Sequence, residues 1–197
     1  MTIQKVTKVY GVDDFKIFPI TADTDSAFTC GSEVDGVGVK QVSLTFEMEE
    51  KELTGDEMTL DTIAKVKSIT VSTEVAKLNL PLWAELTGGT VTDSTNSSVL
   101  SIGSKASGNQ KYLQAQFQIK ETDNAGGDIQ FIVYKCKATS APINGTEDDY
   151  ATFTIDLKGV FTTHKFGTGN DAEHKLVDIK VNETAANLTA VVDPAST

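Results

Sequence analysis

The chain has 197 residues, of which 39% are hydrophobic and 23% charged. This composition fits a globular protein with one core, and no apolar run approaches the roughly 20 residues of a membrane-spanning helix. With 17 basic and 28 acidic residues the net charge is −11, which disfavours adhesion to nucleic acid because phosphates would be repelled. The first residues lack the apolar stretch of a secretory signal, so we expect a protein made in a cytosol.

Alternation of polar and apolar residues with period two dominates the chain and predicts strands with one buried and one exposed face. After a stretch rich in Gly, Asp, Ser and Thr at Thr21–Gly38, which predicts a loop or arm, the first clear strand is Gln41–Glu49. A second long strand is expected at Ile63–Val75. Between them Thr54-Gly55-Asp56 supplies turn residues, and we expect a loop at Lys51–Asp61 that is long enough to reach a neighbouring molecule.

One segment departs from this pattern and predicts a short helix at residues 79–87. Asn79 is a favourable N-cap, Pro81 fits the first turn, and Leu82 and Leu86 are four residues apart on one face. Gly88 is a favourable C-terminal stop. We expect this helix to cover one end of the sheet, with Trp83 as its largest apolar anchor.

The second half of the chain predicts further strands. In Leu113–Lys120 apolar residues alternate with Gln114, Gln116 and Gln118, which predicts a solvent-exposed glutamine face. Asp128–Ala138 is apolar on both faces and should be a central strand, and Ala151–Phe161 alternates again. Asn182–Thr197 is small and polar and predicts a flexible tail. The predicted architecture is one domain over residues 1–197, mainly β: a sandwich or flattened barrel of antiparallel strands with one short flanking α-helix.

The sequence contains no strong motif for catalysis, a metal or a cofactor. Neither His164 nor His174 has helical ligand spacing, and we expect both to be inert residues of a polar loop. Acidic pairs such as Asp23 and Asp25 lack the spacing of a calcium loop and suit turns. Glu47 and Glu49 share a strand face, as a glycosidase pair would, but such pairs are common on exposed sheets. We therefore expect a protein that is not an enzyme and binds no cofactor.

The two cysteines, Cys30 and Cys136, lie far apart and have no neighbouring Cys or His. We expect both to be small, mostly buried packing residues. A single disulfide between them stays open, although a cytosol would disfavour it.

The segment Val42–Val91 carries a specific resemblance. An alternating strand leads into Leu53-Thr54-Gly55-Asp56, a long strand returns, and a short helix ends at Leu86-Thr87-Gly88-Gly89. In this order of elements the segment resembles the hairpin-and-helix portion of the major tail tube proteins of long-tailed bacteriophages. The later strand Tyr150–Phe161 is similar to the closing strand of that family.

This resemblance implies a virion structural protein, assembled in the host cytoplasm into rings, often hexameric, that stack into a hollow tail tube. Its partners would be copies of itself, tape measure, terminator and baseplate or tip proteins, and DNA in non-adhesive transit, with no membrane. The residues we expect to make contacts between subunits or stacked rings are Lys51, Glu52, Leu53, Thr54, Gly55, Asp56 and Glu57. The residues we expect to face the lumen are Thr45, Glu47 and Glu49.

Two other classes of function stay open at this stage. A carbohydrate-binding or adhesin sandwich would decorate a virion or cell surface through exposed aromatic rings. Trp83 is the only Trp and lies in a helical pattern, which argues against such a platform. A hydrolase on a β scaffold would need a nucleophile, a metal set or an acid–base pair, and none stands out.

Overall fold

A computed structural model describes residues 9–55, 58–121, 127–146 and 149–194. The chain is mainly β. Two helices occur in these ranges, α1 (Leu80–Thr87) and the single turn α2 (Ala106–Asn109), with a 3₁₀ turn at Gly169–Asp171. The strands are β1 (Val9–Thr24), β2 (Ala27–Cys30), β3 (Val34–Asp35), β4 (Val39–Gly55), β5 (Met58–Val75), β6 (Thr90–Asp93), β7 (Ser98–Ser101), β8 (Leu113–Glu121), β9 (Asp128–Ser140), β10 (Ile143–Thr146), β11 (Asp149–Gly159), β12 (Lys165–Phe166), β13 (Glu173–His174) and β14 (Val177–Asn182).

Ten strands of the described ranges form one antiparallel sheet, in the order β2-β1-β8-β9-β11-β5-β4. The shorter strands β10, β14 and β3 pair with β11, β9 and β1. Strands distant in this order share one hydrophobic cluster: Phe15 and Ile17 of β1 lie in it with Ile69 and Val71 of β5. The sheet therefore folds over on itself around a common core without closing into a barrel, as the predicted sandwich requires.

The helix predicted at residues 79–87 is confirmed as α1. Asn79 caps it through its side-chain oxygen, which accepts a hydrogen bond from the Leu82 N–H, and Gly88 ends it with φ 72°. A Cβ at Gly88 would come within 2.2 Å of the Ala106 carbonyl oxygen, so the helix end packs directly on α2. Trp83 is buried and meets Phe153 edge to face. No helix in the described ranges is long and apolar enough to cross a membrane.

The central strand predicted at Asp128–Ala138 is confirmed as β9, which pairs with β8, β11 and β14. Its two faces are covered by different clusters. Val133 and Cys136 belong to the main core, whereas Ile132 and Tyr134 pack with Phe28 in a second cluster. Cys136 is buried and Cys30 half-buried, and both are free thiols. Burial raises the pKa of Cys30 to about 11 and that of Cys136 to about 12.

The prediction of an exposed glutamine face on β8 is wrong. Gln114, Gln116 and Gln118 are all buried, as is Gln130 of β9. They are covered by residues 183–194, which we call the C-terminal strap. Glutamine side chains can be buried without losing hydrogen bonds when an extended backbone segment supplies the partners that water would otherwise supply.

The segment Asn182–Thr197 was predicted to be a flexible tail, but in the structure its backbone is bound by the buried glutamines. Gln116 donates to the Thr189 carbonyl oxygen at 2.7 Å, and Gln130 donates to the Ala186 carbonyl oxygen at 2.6 Å. Gln114 both donates to the Val191 carbonyl and accepts from the Val191 N–H. Leu188 is buried. The strap is therefore fixed by its backbone, and residues 195–197 lie outside the described ranges.

The predicted loop or arm at Thr21–Gly38 is largely structured as well. β1 continues to Thr24, turns, and pairs with β2, and β3 adds to the same strand. Phe28 in β2 is buried and exchanges backbone hydrogen bonds with Asp193 of the strap at 2.7 and 2.8 Å. The polar residues of this segment supply the turns, while Phe28 provides the anchor that holds it to the sheet.

Candidate assembly surface

The residues predicted to face a lumen lie on one side of β4, opposite the core. Val42 and Leu44 pack against the core, so the alternating residues Thr45, Glu47 and Glu49 point away from it. Register continues this surface onto the next two strands. We call it the hydroxyl face, and it consists of Ser43, Thr45, Glu47, Ser68, Thr70, Ser72, Asp156 and Lys158.

Glu47 organises the hydroxyl face. Its carboxylate accepts hydrogen bonds from Ser68 at 2.5 Å, Thr70 at 3.0 Å and the Lys158 ammonium at 2.9 Å. The bond from Ser68 and then those from Lys158 and Thr70 lower the pKa of Glu47 to about 2. Ser72 donates similarly to Asp156. The face therefore presents hydroxyls and an internally neutralised lysine, a surface with little attraction for a phosphate backbone.

The Glu47 network predicts a defined pH dependence. Because folding lowers the pKa from 4.5 to about 2, the carboxylate stabilises the fold above pH 4.5 and loses this effect as the pH falls towards 2. We expect the melting temperature of Glu47→Gln to lie below that of the wild type at pH 7, and the gap to shrink between pH 4.5 and 2. Thermal melts of both proteins between pH 7 and pH 2 measure this difference in melting temperature.

Glu49→Gln is the matched control, because it removes a neighbouring carboxylate that lies 3.9 Å from Lys51 and takes no part in the Glu47 network. A gap between wild type and Glu47→Gln that stays constant from pH 7 to pH 2 would contradict the assigned network.

The predicted loop Lys51–Asp61 differs from the structure: β4 continues to Gly55, and β5 begins at Met58. Asp56 and Glu57 lie outside the described ranges, and so do the side chains of Leu53 and Thr54. The predicted contact residues Lys51–Gly55 thus belong to a paired ribbon that runs from Met48 opposite Val66 to Gly55 opposite Met58, with a shift of register between Leu53 and Thr54. Their role between subunits stays a prediction.

The outer part of this ribbon, residues 48–66, is here called the distal hairpin. Every described side chain from Met48 to Glu52 and from Asp61 to Lys65 is exposed, on both faces of the ribbon. Met48 and Ile63, which are 57% and 55% exposed, put apolar surface into solvent. A two-stranded ribbon by itself is only marginally stable in water, and the described side chains of this one lack packing partners that would stabilise it.

The backbone edge of β4 is a second incomplete feature. β4 ends the sheet order, and its described pairing is with β5 alone. An edge strand 17 residues long offers a row of free amide and carbonyl groups that a further strand can use. Charged residues such as Glu50 and Glu52 on this strand discourage unselective pairing.

The prediction that His164 lies in an exposed loop is wrong. Its ring is buried, with Nδ1 3.1 Å from the Thr24 carbonyl oxygen and Nε2 3.0 Å from Asp193 of the strap. The Asp23 carboxylate accepts a hydrogen bond from the backbone N–H of His164 and forms an ion pair with Lys135 at 2.5 Å. Asp23 and His164 therefore link β1, β9 and the strap. His174 is exposed, and the described ranges contain no group of three or more His, Cys, Asp or Glu side chains that could hold a metal.

No known protein family and no curated protein matches this sequence. Among solved structures, the chain is similar to a chain of the anti-feeding prophage (AFP) baseplate, determined by cryo-EM with 6-fold symmetrisation. The alignment covers 92% of this chain and 97% of that chain, with 8% sequence identity and a TM-score of 0.39. A TM-score of this size lies below the level that indicates a common fold.

Proposed function

We propose that this chain is a non-enzymatic structural subunit that assembles with copies of itself into stacked rings forming the hollow tail tube of a bacteriophage. The observation that carries the proposal is the distal hairpin, whose described side chains are exposed on both faces and which needs a partner to be stable. The resemblance of residues 42–91 to major tail tube proteins gives the assembly its expected form.

Two further features support self-assembly. The unpaired edge of β4 lies beside the hydroxyl face, so pairing of β4 with a strand of the next copy would continue that face from subunit to subunit. Closure of such a sheet into a ring removes exposed edges altogether. The hydroxyl face would then line a water-filled lumen, where Glu47 holds Lys158 away from passing phosphates.

Electron microscopy of the purified chain over a range of concentrations tests the proposal. Rings or tubes of uniform diameter are the expected result, with the fraction of assembled protein rising with concentration. A chain that stays monomeric at every concentration, salt and temperature would count decisively against the proposed function.

The alternative of a carbohydrate-binding or adhesin module depends on an exposed aromatic platform. Trp83, the one Trp of the chain, is 3% exposed and packs in the main core. A glycan array is the direct test of this alternative, and a specific ligand would favour it over the tube.

A further inference from the structure

We propose that His164 is a pH-sensitive latch for the C-terminal strap. As an imidazolium it holds the end of the strap closed, and as a neutral ring it lets that end open. The latch lies where the end of β1, the residue before β12 and the strap meet. It acts within one copy of the chain, so it operates whether or not the chain assembles into a tube.

Both nitrogens of the buried His164 ring face oxygen acceptors. Nδ1 lies 3.1 Å from the Thr24 carbonyl oxygen, and Nε2 lies 3.0 Å from the Asp193 carboxylate. A carbonyl and an ionised carboxylate only accept hydrogen bonds, and a neutral imidazole carries a single N–H. Only the imidazolium can donate to both oxygens, so the arrangement in the structure is fully hydrogen-bonded in the protonated state alone.

When the ring loses a proton, the contact with Asp193 is the one that we expect to be lost. The Thr24 carbonyl belongs to the backbone of β1, which is held in place by its pairing with β2. The Asp193 side chain is 46% exposed and can turn its carboxylate into water. The neutral ring therefore keeps its N–H towards Thr24 and gives up its bond to the strap.

The charged groups around the ring come from the strap, β1 and β9. Asp193 lies on the strap, and Asp23 of β1 accepts a hydrogen bond from the backbone N–H of His164. Lys135 of β9 forms an ion pair with Asp23. From β12 the ring meets Phe166, which carries no charge. Two carboxylates thus stand against one ammonium, and this excess of negative charge compensates the imidazolium in its buried position.

The Asp23 carboxylate does not change its charge where histidines titrate. Burial would raise the pKa of Asp23, but hydrogen bonds from Lys135 and from the backbone N–H groups of His164 and Thr163 outweigh burial and lower the pKa. Asp23 is therefore ionised throughout the range in which histidine side chains titrate, about pH 5.5–8. In this cluster the charge that changes within that range is the charge of the His164 ring.

Loss of the bond between His164 and Asp193 weakens the strap at a narrow attachment. The backbone of Asp193 is joined to Phe28 by a single isolated bridge of two hydrogen bonds. Two residues earlier, Val191 is held by Gln114 and packs in the second cluster. Attachments of this size open locally at lower cost than a paired strand. The pH therefore sets the fraction of copies in which the end of the strap is open and Phe28 is uncovered.

Hydrogen–deuterium exchange of the Val191 and Asp193 amides tests the latch. Protection factors are measured at about pH 5.5 and pH 8.5, so that the intrinsic pH dependence of exchange is removed. For the wild type we expect both factors to fall about tenfold between the lower and the higher pH, which is the effect of one hydrogen bond between charged groups. The amides of β8 and β9 are the internal reference and should keep their protection.

Asp193→Asn is the decisive variant. An asparagine amide can accept from the imidazolium through its oxygen and donate to the neutral ring through its NH₂ group, so the latch should hold at both pH values. We expect its protection factors to differ less than about threefold between them. His174→Gln removes the exposed histidine and is the matched control, which should show the same tenfold fall as the wild type.

Equal protection of the wild-type strap at the two pH values would overturn the inference. A fall in Asp193→Asn as steep as that of the wild type would overturn it as well, because the contact between residues 164 and 193 would then not be its cause. A parallel fall in the amides of β8 and β9 would show loss of global stability in place of a latch. None of these results depends on assembly, so each leaves the proposed function standing.

Discussion

Replacing Asp128 with alanine is expected to lower the free energy of unfolding by about 3 kcal/mol and the melting temperature by about 6–12 °C. Asp128 is fully buried, and its carboxylate accepts hydrogen bonds from Gln118 at 2.6 Å, from Asn182 at 2.5 Å and from the Ala186 N–H at 2.8 Å. Alanine would remove the acceptor that these three donors share, and the loss is most costly at the buried Gln118. Chemical denaturation measures the loss.

Asp128 also fixes the place where β14 ends and the strap begins, because Asn182 and Ala186 lie on either side of that turn. We therefore expect the strap of Asp128→Ala to become sensitive to proteolysis before the rest of the chain does. Asp25→Ala is the control: it removes a carboxylate from the exposed turn between β1 and β2 and is expected to stay within about 0.5 kcal/mol of the wild type. Equal stabilities for the two variants would contradict the role of Asp128.

Removal of the distal hairpin is expected to abolish assembly while leaving the monomer folded. Met48 and Val66 are directly opposite in the ribbon, so the two-residue turn Asn-Gly can join them in place of the residues between. The described side chains that are lost are exposed, and the main core lies elsewhere, so we expect the stability of the monomer to change by about 1 kcal/mol or less. Analytical ultracentrifugation measures assembly, and thermal melts measure the fold.

A control variant carries the same Asn-Gly pair in place of Asp25-Ser26, at the exposed turn between β1 and β2. It is expected to assemble normally. Stacked rings from the hairpin-less chain would show that residues 48–66 are dispensable, and would remove the main support for the proposed function.

Patterning predicted most of the strands and the helix because those elements follow local rules. The alternation of Gln41–Glu49 and the cap residues Asn79 and Gly88 act within a few residues of themselves. The structure places β4 and α1 where these rules predict. The family resemblance also rests on this segment, and it supplied the hypothesis that the hairpin makes contacts between subunits.

The sequence misled where polarity was taken to mean exposure. The glutamines of β8 are polar and periodic, yet they are buried by a strap whose backbone completes their hydrogen bonds. Nothing local to Gln116 indicates that Thr189, 73 residues away, will cover it. The turn residues Thr54-Gly55-Asp56 suggested a loop at Lys51–Asp61, but strand pairing continues to Gly55 and Met58. A ribbon that is exposed on both faces buries neither of them, so its sequence does not need to alternate between apolar and polar residues.

The fold alone leaves function open. The candidate assembly surface is therefore defined by the elements of the monomer that lack packing or pairing partners. The hydroxyl face is internally satisfied around Glu47, and the strap satisfies the buried glutamines of β8 and β9. By contrast, the described side chains of the distal hairpin from Met48 to Glu52 and from Asp61 to Lys65 are exposed, and the described pairing of β4 is with β5 alone. Incomplete elements of this kind are typical of subunits that finish folding in an assembly.

Hydrogen–deuterium exchange of residues 48–66, compared between dilute monomer and the assembled state, tests this account most directly. We expect rapid exchange of these amides in the monomer and strong protection after assembly, with the amides of β8 and β9 protected in both states. Equal protection of the hairpin before and after assembly would show that sister copies do not complete it, and would contradict the account.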